Sequence, residues 1–191
     1  LFLLLLSGCQ STLMEPSASQ AHTNAGAGQS QVVFIRSAFT GKAIQASVYD
    51  ITSGAPEFIG IVSNDTKVSY MTSPGDYMFM VVGESADFLK AHVLEGKTYY
   101  TVVSPRIGFW KARFSMHPVR NDQSAKFKYD SKDFKEMLED SQFVKSGAKA
   151  EKWALKNANS ISSKMNEYLP DWKLKAVEKQ QAATIEVMDH M

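Results

Sequence analysis

Between Val32 and Val119 the chain is cut into short apolar runs by turn residues every 8–12 positions, and this spacing constrains the fold more than any other feature. Val32-Val33-Phe34-Ile35 opens the series. Ile44, Ala46, Val48 and Ile51 follow with mostly alternating character, then Phe58-Ile59-Gly60-Ile61-Val62, which stops at Ser63-Asn64-Asp65. Further runs cover 68–72, 77–82, 88–94, 98–103 and 109–116. In Ser73-Pro74-Gly75-Asp76 proline fixes φ and glycine supplies a positive φ, and Glu95-Gly96-Lys97 makes a second tight turn. Seven or eight strands spaced this way predict a small antiparallel β-sandwich over residues 32–120.

The period changes after Ser131. Phe134, Met137 and Leu138 fall on one helical face behind Asp130-Ser131 as N-cap, and Gly147 reads as a stop. Ala154, Ala158, Ile161, Met165 and Tyr168 or Leu169 recur at steps of three and four, and Leu174, Val177, Gln181, Thr184 or Ile185, and Met188 repeat the spacing beyond Pro170. Residues 131–191 are therefore expected to form two or three amphipathic helices, with a helical hairpin turning at Pro170. The fold class expected is mostly β with an α appendage.

The other end of the chain carries no such periodicity. Gln10 to Gln31 is rich in Ser, Ala, Gln, Thr, Asn and Gly, a composition that buries too little apolar surface to offset ordering entropy. Residues 9–31 are expected to be a flexible tether of about 25 Å r.m.s. span, with His22 in solvent. Ahead of it, Leu6-Ser7-Gly8-Cys9 closes the apolar run from Leu1 to Leu6 and resembles the lipobox of a bacterial lipoprotein signal peptide. The resemblance implies that residues 1–8 are removed and that Cys9 receives diacylglycerol on its thiol and an acyl chain on its new amino group. Two or more chains anchor stably where one holds only marginally. Gln10 in place of Asp implies the outer membrane, and Cys9, the only cysteine, leaves no disulfide within the chain.

The β region resembles an uncharacterised family of small bacterial lipoproteins with PEGA-type and transthyretin-like sandwiches. Val33-Phe34-Ile35-Arg36, Phe58-Ile59-Gly60, Ser73-Pro74-Gly75-Asp76-Tyr77 and Leu94-Glu95-Gly96-Lys97-Thr98-Tyr99-Tyr100 carry the likeness. It covers about residues 32–119 and brings no catalytic residues with it.

Chemistry-bearing motifs are sparse. His22, His92, His117 and His190 stand apart at spacings that suit no metal site, and no nucleophile elbow, phosphate loop or dinucleotide fingerprint occurs. No cofactor and no enzymatic activity are expected, and a net charge of +1 argues against a nucleic-acid surface. Aromatic residues are the better candidates. Trp110 with Arg106 near it mixes rings and cations at a sheet end, and Tyr99 and Tyr100 point to opposite faces, so one of the two is expected at the surface. Trp153 and Trp172 flank the helices, where they either pin them to the sandwich or anchor another protein. The sequence thus suggests a lipid-anchored, periplasm-facing outer-membrane lipoprotein, non-catalytic, whose C-terminal helices bind an envelope partner as accessory or scaffold. The alternatives are peptidoglycan or glycan binding through the Trp110 region and carriage of a small ligand.

Overall fold

The computed structural model describes residues 13–37, 44–106 and 113–191. In chain order come β1 (Glu15–Pro16), β2 (Ser30–Arg36), β3 (Ala46–Asp50), β4 (Glu57–Val62), β5 (Thr66–Thr72), β6 (Gly75–Val82), β7 (Ala86–Val93), β8 (Thr98–Arg106), β9 (Arg113–Arg120) and β10 (Phe127–Lys128). They are followed by α1 (Lys132–Asp140), β11 (Gln142–Lys145), α2 (Ala148–Lys173), α3 (Val177–Ala182) and β12 (Thr184–Ile185). One sheet has the order β1-β11-β5-β2-β8-β9-β10 and the other β12-β7-β6-β3-β4. The fold class is the expected one, mostly β with helices after the strands. Most ladders are antiparallel, while β2–β8, β5–β11, β9–β10 and β7–β12 are parallel, so both sheets are mixed.

Four layers result. Val32, Phe34, Val48, Ile61, Phe79 and Val103 belong to the core between the sheets. The outer face of the five-stranded sheet offers Tyr49, Met80, Val82 and Phe88, and α2 covers it with Ile161, Met165 and Trp172. The outer face of the seven-stranded sheet offers Val33, Ile35, Tyr100 and Val102, and α1 covers it with Phe134, Met137 and Leu138. Strands buried on both faces read as continuous apolar runs rather than alternating ones. This is why all seven residues of β2 are buried.

The C-terminal part departs from its expected form in four places. Ser131 caps α1 as its pattern predicts, accepting a hydrogen bond from Phe134 N at 3.3 Å. Gly147, however, is the N-cap of α2 and not a stop for α1, which ends at Asp140. Between them lies β11, a strand of four residues hydrogen-bonded to β5. Pro170 lies within the last turn of α2 and does not start a hairpin. A proline inside a helix forfeits one backbone hydrogen bond; here burial of Trp172, 2% exposed with its edge on Phe88, keeps the turn helical beyond it. The second seam shrinks to the six residues of α3, after which Thr184 and Ile185 join the sheet beside Lys90 and Ala91.

The largest departure is at residues 13–31, expected to be a tether. Met14 is 3% exposed and inserts against Gly60 and Val68, its Sδ accepting from Ile61 N at 3.3 Å. A Cβ on Gly60 would stand 2.9 Å from the Met14 methyl, so the glycine is a slot for that side chain. Backbone pairing of β1 with β11 then extends the sheet edge. Composition missed this because one methionine and a few backbone bonds supply the order that a run of apolar residues supplies elsewhere. Met14→Ala should therefore lower the unfolding free energy by about 2–5 kcal/mol, read as a fall in urea midpoint. A solvated tether would leave that midpoint unchanged.

Candidate functional site

The N-terminal strap is held by a clasp of polar groups closed on the buried Lys67 and Phe143. Phe143 on β11 accepts at its carbonyl from Ser17 N at 2.9 Å and Gln20 Nε2 at 3.0 Å, and its own N–H donates to Gln20 Oε1 at 2.7 Å. Beyond this, Lys67 of β5, only 2% exposed, donates to the Leu138 carbonyl at 2.6 Å and reaches His22 Nε2 at 3.1 Å. Its ammonium lies 4.8 Å over the Phe143 ring. An ammonium only donates, so His22 Nε2 must accept, which leaves the proton on Nδ1, 3.0 Å from the Tyr100 hydroxyl. The geometry requires neutral His22. Burial, then the Lys67 ammonium, pushes the His22 pKa below its ordinary 6.5. The Lys67 amine is lowered by burial as well, and the Leu138 carbonyl in the last turn of α1 supplies partial negative charge. His22 is exposed, as expected, but its ring is held by Lys67, Tyr100 and Phe143 and is not free in a tether.

A second cluster lies where α2 ends on β7. Asp87 bonds Lys175 at 3.1 Å and Arg106 at 3.4 Å, and Arg106 Nε also donates to the Phe114 carbonyl at 3.2 Å. With Ser85, Arg113, Tyr168, Asp171 and Trp172 they line a cleft of about 200 Å³. That is below the range of about 300–1,000 Å³ common for small-molecule sites. Trp172 offers no open ring for a sugar: its edge packs on Phe88, and Lys90 and Lys175 lie 5.5 and 5.9 Å from its ring centre. Trp153, half-buried 6.4 Å from Phe58, lines a separate pocket of about 310 Å³ with Ile44, Val82 and Lys164. Arg106 and Trp172 therefore share one site and Trp153 stands at another, while Cys9 and Trp110 lie outside the described residues.

Tyr99 and Tyr100 are both buried, because both faces of β8 are covered. The Tyr99 hydroxyl accepts from Leu94 N and donates to the Val187 carbonyl, each at 3.1 Å, so this tyrosine fastens the C-terminal tail. Met191 N donates to Thr98 O at 3.0 Å, Asn121 donates to the carbonyls of Met188 and His190 at 3.2 Å, and Arg120 pairs with the buried Asp189 at 3.6 Å. The backbone of 186–191 is tied down while its apolar side chains face outward. Met188 is 69% exposed and Met191 62%, with Val187 and Leu94 beside them partly exposed. Sequence periodicity assigned Met188 to a helical seam and so missed this patch.

The remaining histidines are engaged structurally. His92 bonds Asp76 across β6–β7 at 2.6 Å, and His117 is pushed down to about 4 by burial and then by the Lys126 ammonium. Among the described residues no three His, Cys, Asp or Glu side chains gather as metal ligands, and no helix is long and apolar enough to cross a membrane. Comparison with protein-family models, with curated proteins and with solved structures finds no match for this chain.

The clasp makes the strap sensitive to acid. The His22 pKa is lower folded than unfolded, so its contribution is complete above about pH 6.5 and declines as the pH falls toward the folded value. The hydrogen-exchange protection factors of the Ser17 and Phe143 amides, corrected for intrinsic exchange, should fall between pH 7 and 5. In His22→Gln that fall in protection should shrink, because the neutral amide has no proton to gain.

Proposed function

We propose that this chain is a lipid-anchored, periplasm-facing outer-membrane lipoprotein that acts without catalysis. It binds a partner protein and serves an envelope assembly as accessory or scaffold. The lipobox-like Leu6-Ser7-Gly8-Cys9 supports the anchor. The observation that carries the binding reading is the C-terminal patch. Two methionines and two aliphatic side chains stand exposed on a backbone that hydrogen bonds hold rigid, and contiguous exposed apolar surface marks interaction sites on soluble bodies. Methionine suits such a surface because its flexible thioether adapts to a partner's shape. Holding the backbone in advance lowers the ordering cost of association.

The partner surface in this reading is the tail after α3, since α1 and the inner face of α2 are spent on the sheets. Trp172 is enclosed and so pins α2 to the sandwich, which leaves it no surface with which to anchor a partner. Intact mass of the protein from membranes should show an acylated chain beginning at Cys9. A cross-linked pull-down from solubilised envelopes should capture a specific envelope protein with the native chain, and Met188→Ser/Met191→Ser should reduce that capture about tenfold or more, the loss expected when an interface core is disrupted. Equal capture by both, or sedimentation with purified cell wall that Trp110→Ala abolishes, would contradict the reading.

A further inference from the structure

We infer that the outward face of the first half of α2 rests on an anionic phospholipid surface, holding the sandwich against the membrane that Cys9 enters. The inference rests on the lipid-anchor reading for its place in the cell and on three observations for the surface itself. The first is charge. Residues 145–164 contain Lys145, Lys149, Lys152, Lys156 and Lys164 against a single acid, Glu151, in a chain whose net charge is +1, so the remainder is net acidic. Lys149, Lys152 and Lys156 recur at steps of three and four and so form one stripe. All three are exposed, on the side away from the buried Ala150, Ile161 and Met165. None of the three makes a salt bridge among the described residues.

The second observation is an exposed apolar side chain beside the stripe. Leu155 is 78% exposed, one residue before Lys156 and three after Lys152. A cationic rim with an aliphatic side chain is the chemistry of a helix lying in a headgroup layer. Lysine stems also keep their ammonium groups at the phosphates while their methylenes lie in the apolar boundary.

The third is where the strap emerges. Glu15 lies against Gly147, the N-cap of α2, so closely that a Cβ there would overlap its carboxylate, and Glu15 stands opposite Lys145 in the β1–β11 register. The strap therefore meets the body at the first turn of the lysine-bearing helix. Whatever its conformation, the stretch from Cys9 to Leu13 spans at most about 14 Å. An acylated Cys9 thus brings this corner close to the membrane, where the surface field extends over a Debye length of about 8 Å. A tether running free to residue 31 would leave the orientation unset. A strap clamped from Met14 onward sets it.

The test separates the face from the anchor by using the full-length mature chain with Cys9→Ser, which carries no acyl group. In low salt this protein should float with vesicles of equal phosphatidylglycerol and phosphatidylcholine and remain behind with phosphatidylcholine alone. Lys149→Gln/Lys152→Gln/Lys156→Gln should weaken flotation about tenfold or more, since each lysine near an anionic surface adds to the attraction. These substitutions lie on exposed helical positions, so unchanged circular dichroism and thermal midpoint verify the fold. Binding that ignores vesicle charge, or that survives the triple substitution, overturns the inference, as does absence of flotation at low salt. The mass of the native chain decides acylation independently.

Discussion

The rest of the structure depends on covering four sheet faces with one short chain. The two inner faces cover each other, but Val33, Ile35, Tyr100 and Val102 on one side and Tyr49, Met80, Val82 and Phe88 on the other would stand in water without α1 and α2. Each large side chain so covered gains about 1.5–3 kcal/mol relative to exposure. The helices follow the sandwich in the chain and complete it in space. Their inward faces are committed to packing, which leaves function to outward faces and to the two chain ends.

Both ends are fastened by polar groups placed against the β layers. At the N-terminal side Lys67 gathers His22 of the strap, the end of α1 and the ring of Phe143 into one contact. A buried ammonium with no carboxylate partner among the described residues tolerates little rearrangement, because loss of any partner leaves a desolvated charge. At the C-terminal side Arg120, Asn121, Tyr99 and Tyr129 hold carbonyls of residues 184–190. The Tyr129 phenol is pushed well above its ordinary value by burial, so it stays a neutral donor to the Asp189 carbonyl across the physiological range. The clamped strap sets how far the body stands from Cys9, and the clamped tail presents the methionine patch.

Much of the β architecture was legible in the sequence. The apolar runs at Val32, Phe58, Tyr77 and Thr98 are β2, β4, β6 and β8, and Gly75 and Gly96 have the positive φ of 152° and 70° that their turns require. Ser131 announced α1 correctly. What escaped depends on contacts distant in sequence. Pro170 stays helical because Trp172 is buried, and Gln142–Lys145 is a strand because β5 offers an edge. Met14 is core because Gly60 leaves room, a pairing across more than forty positions that no local window contains. One clue was present and misjudged: Val32-Val33-Phe34-Ile35 and Met78-Phe79-Met80-Val81-Val82 are unbroken, and unbroken runs signal a cover on both faces. Of the candidate site residues, Arg106 and Trp172 converge as charge and ring in one cleft, whereas burial removes Tyr99 from the surface. In the exposed tail patch the spacing of Met188 mimics a helical seam, so periodicity pointed away from its exposure.

With Cys9 acylated as proposed, a chain strapped to its own body from Met14 onward would hold the sandwich on the membrane in one orientation. Neutron reflectivity from the acylated protein on a supported bilayer containing anionic lipid tests this directly. A strapped body gives a protein layer that begins at the headgroups, with no intervening water. A hydrated gap of about 25 Å, the r.m.s. span of a free tether of this length, would contradict it.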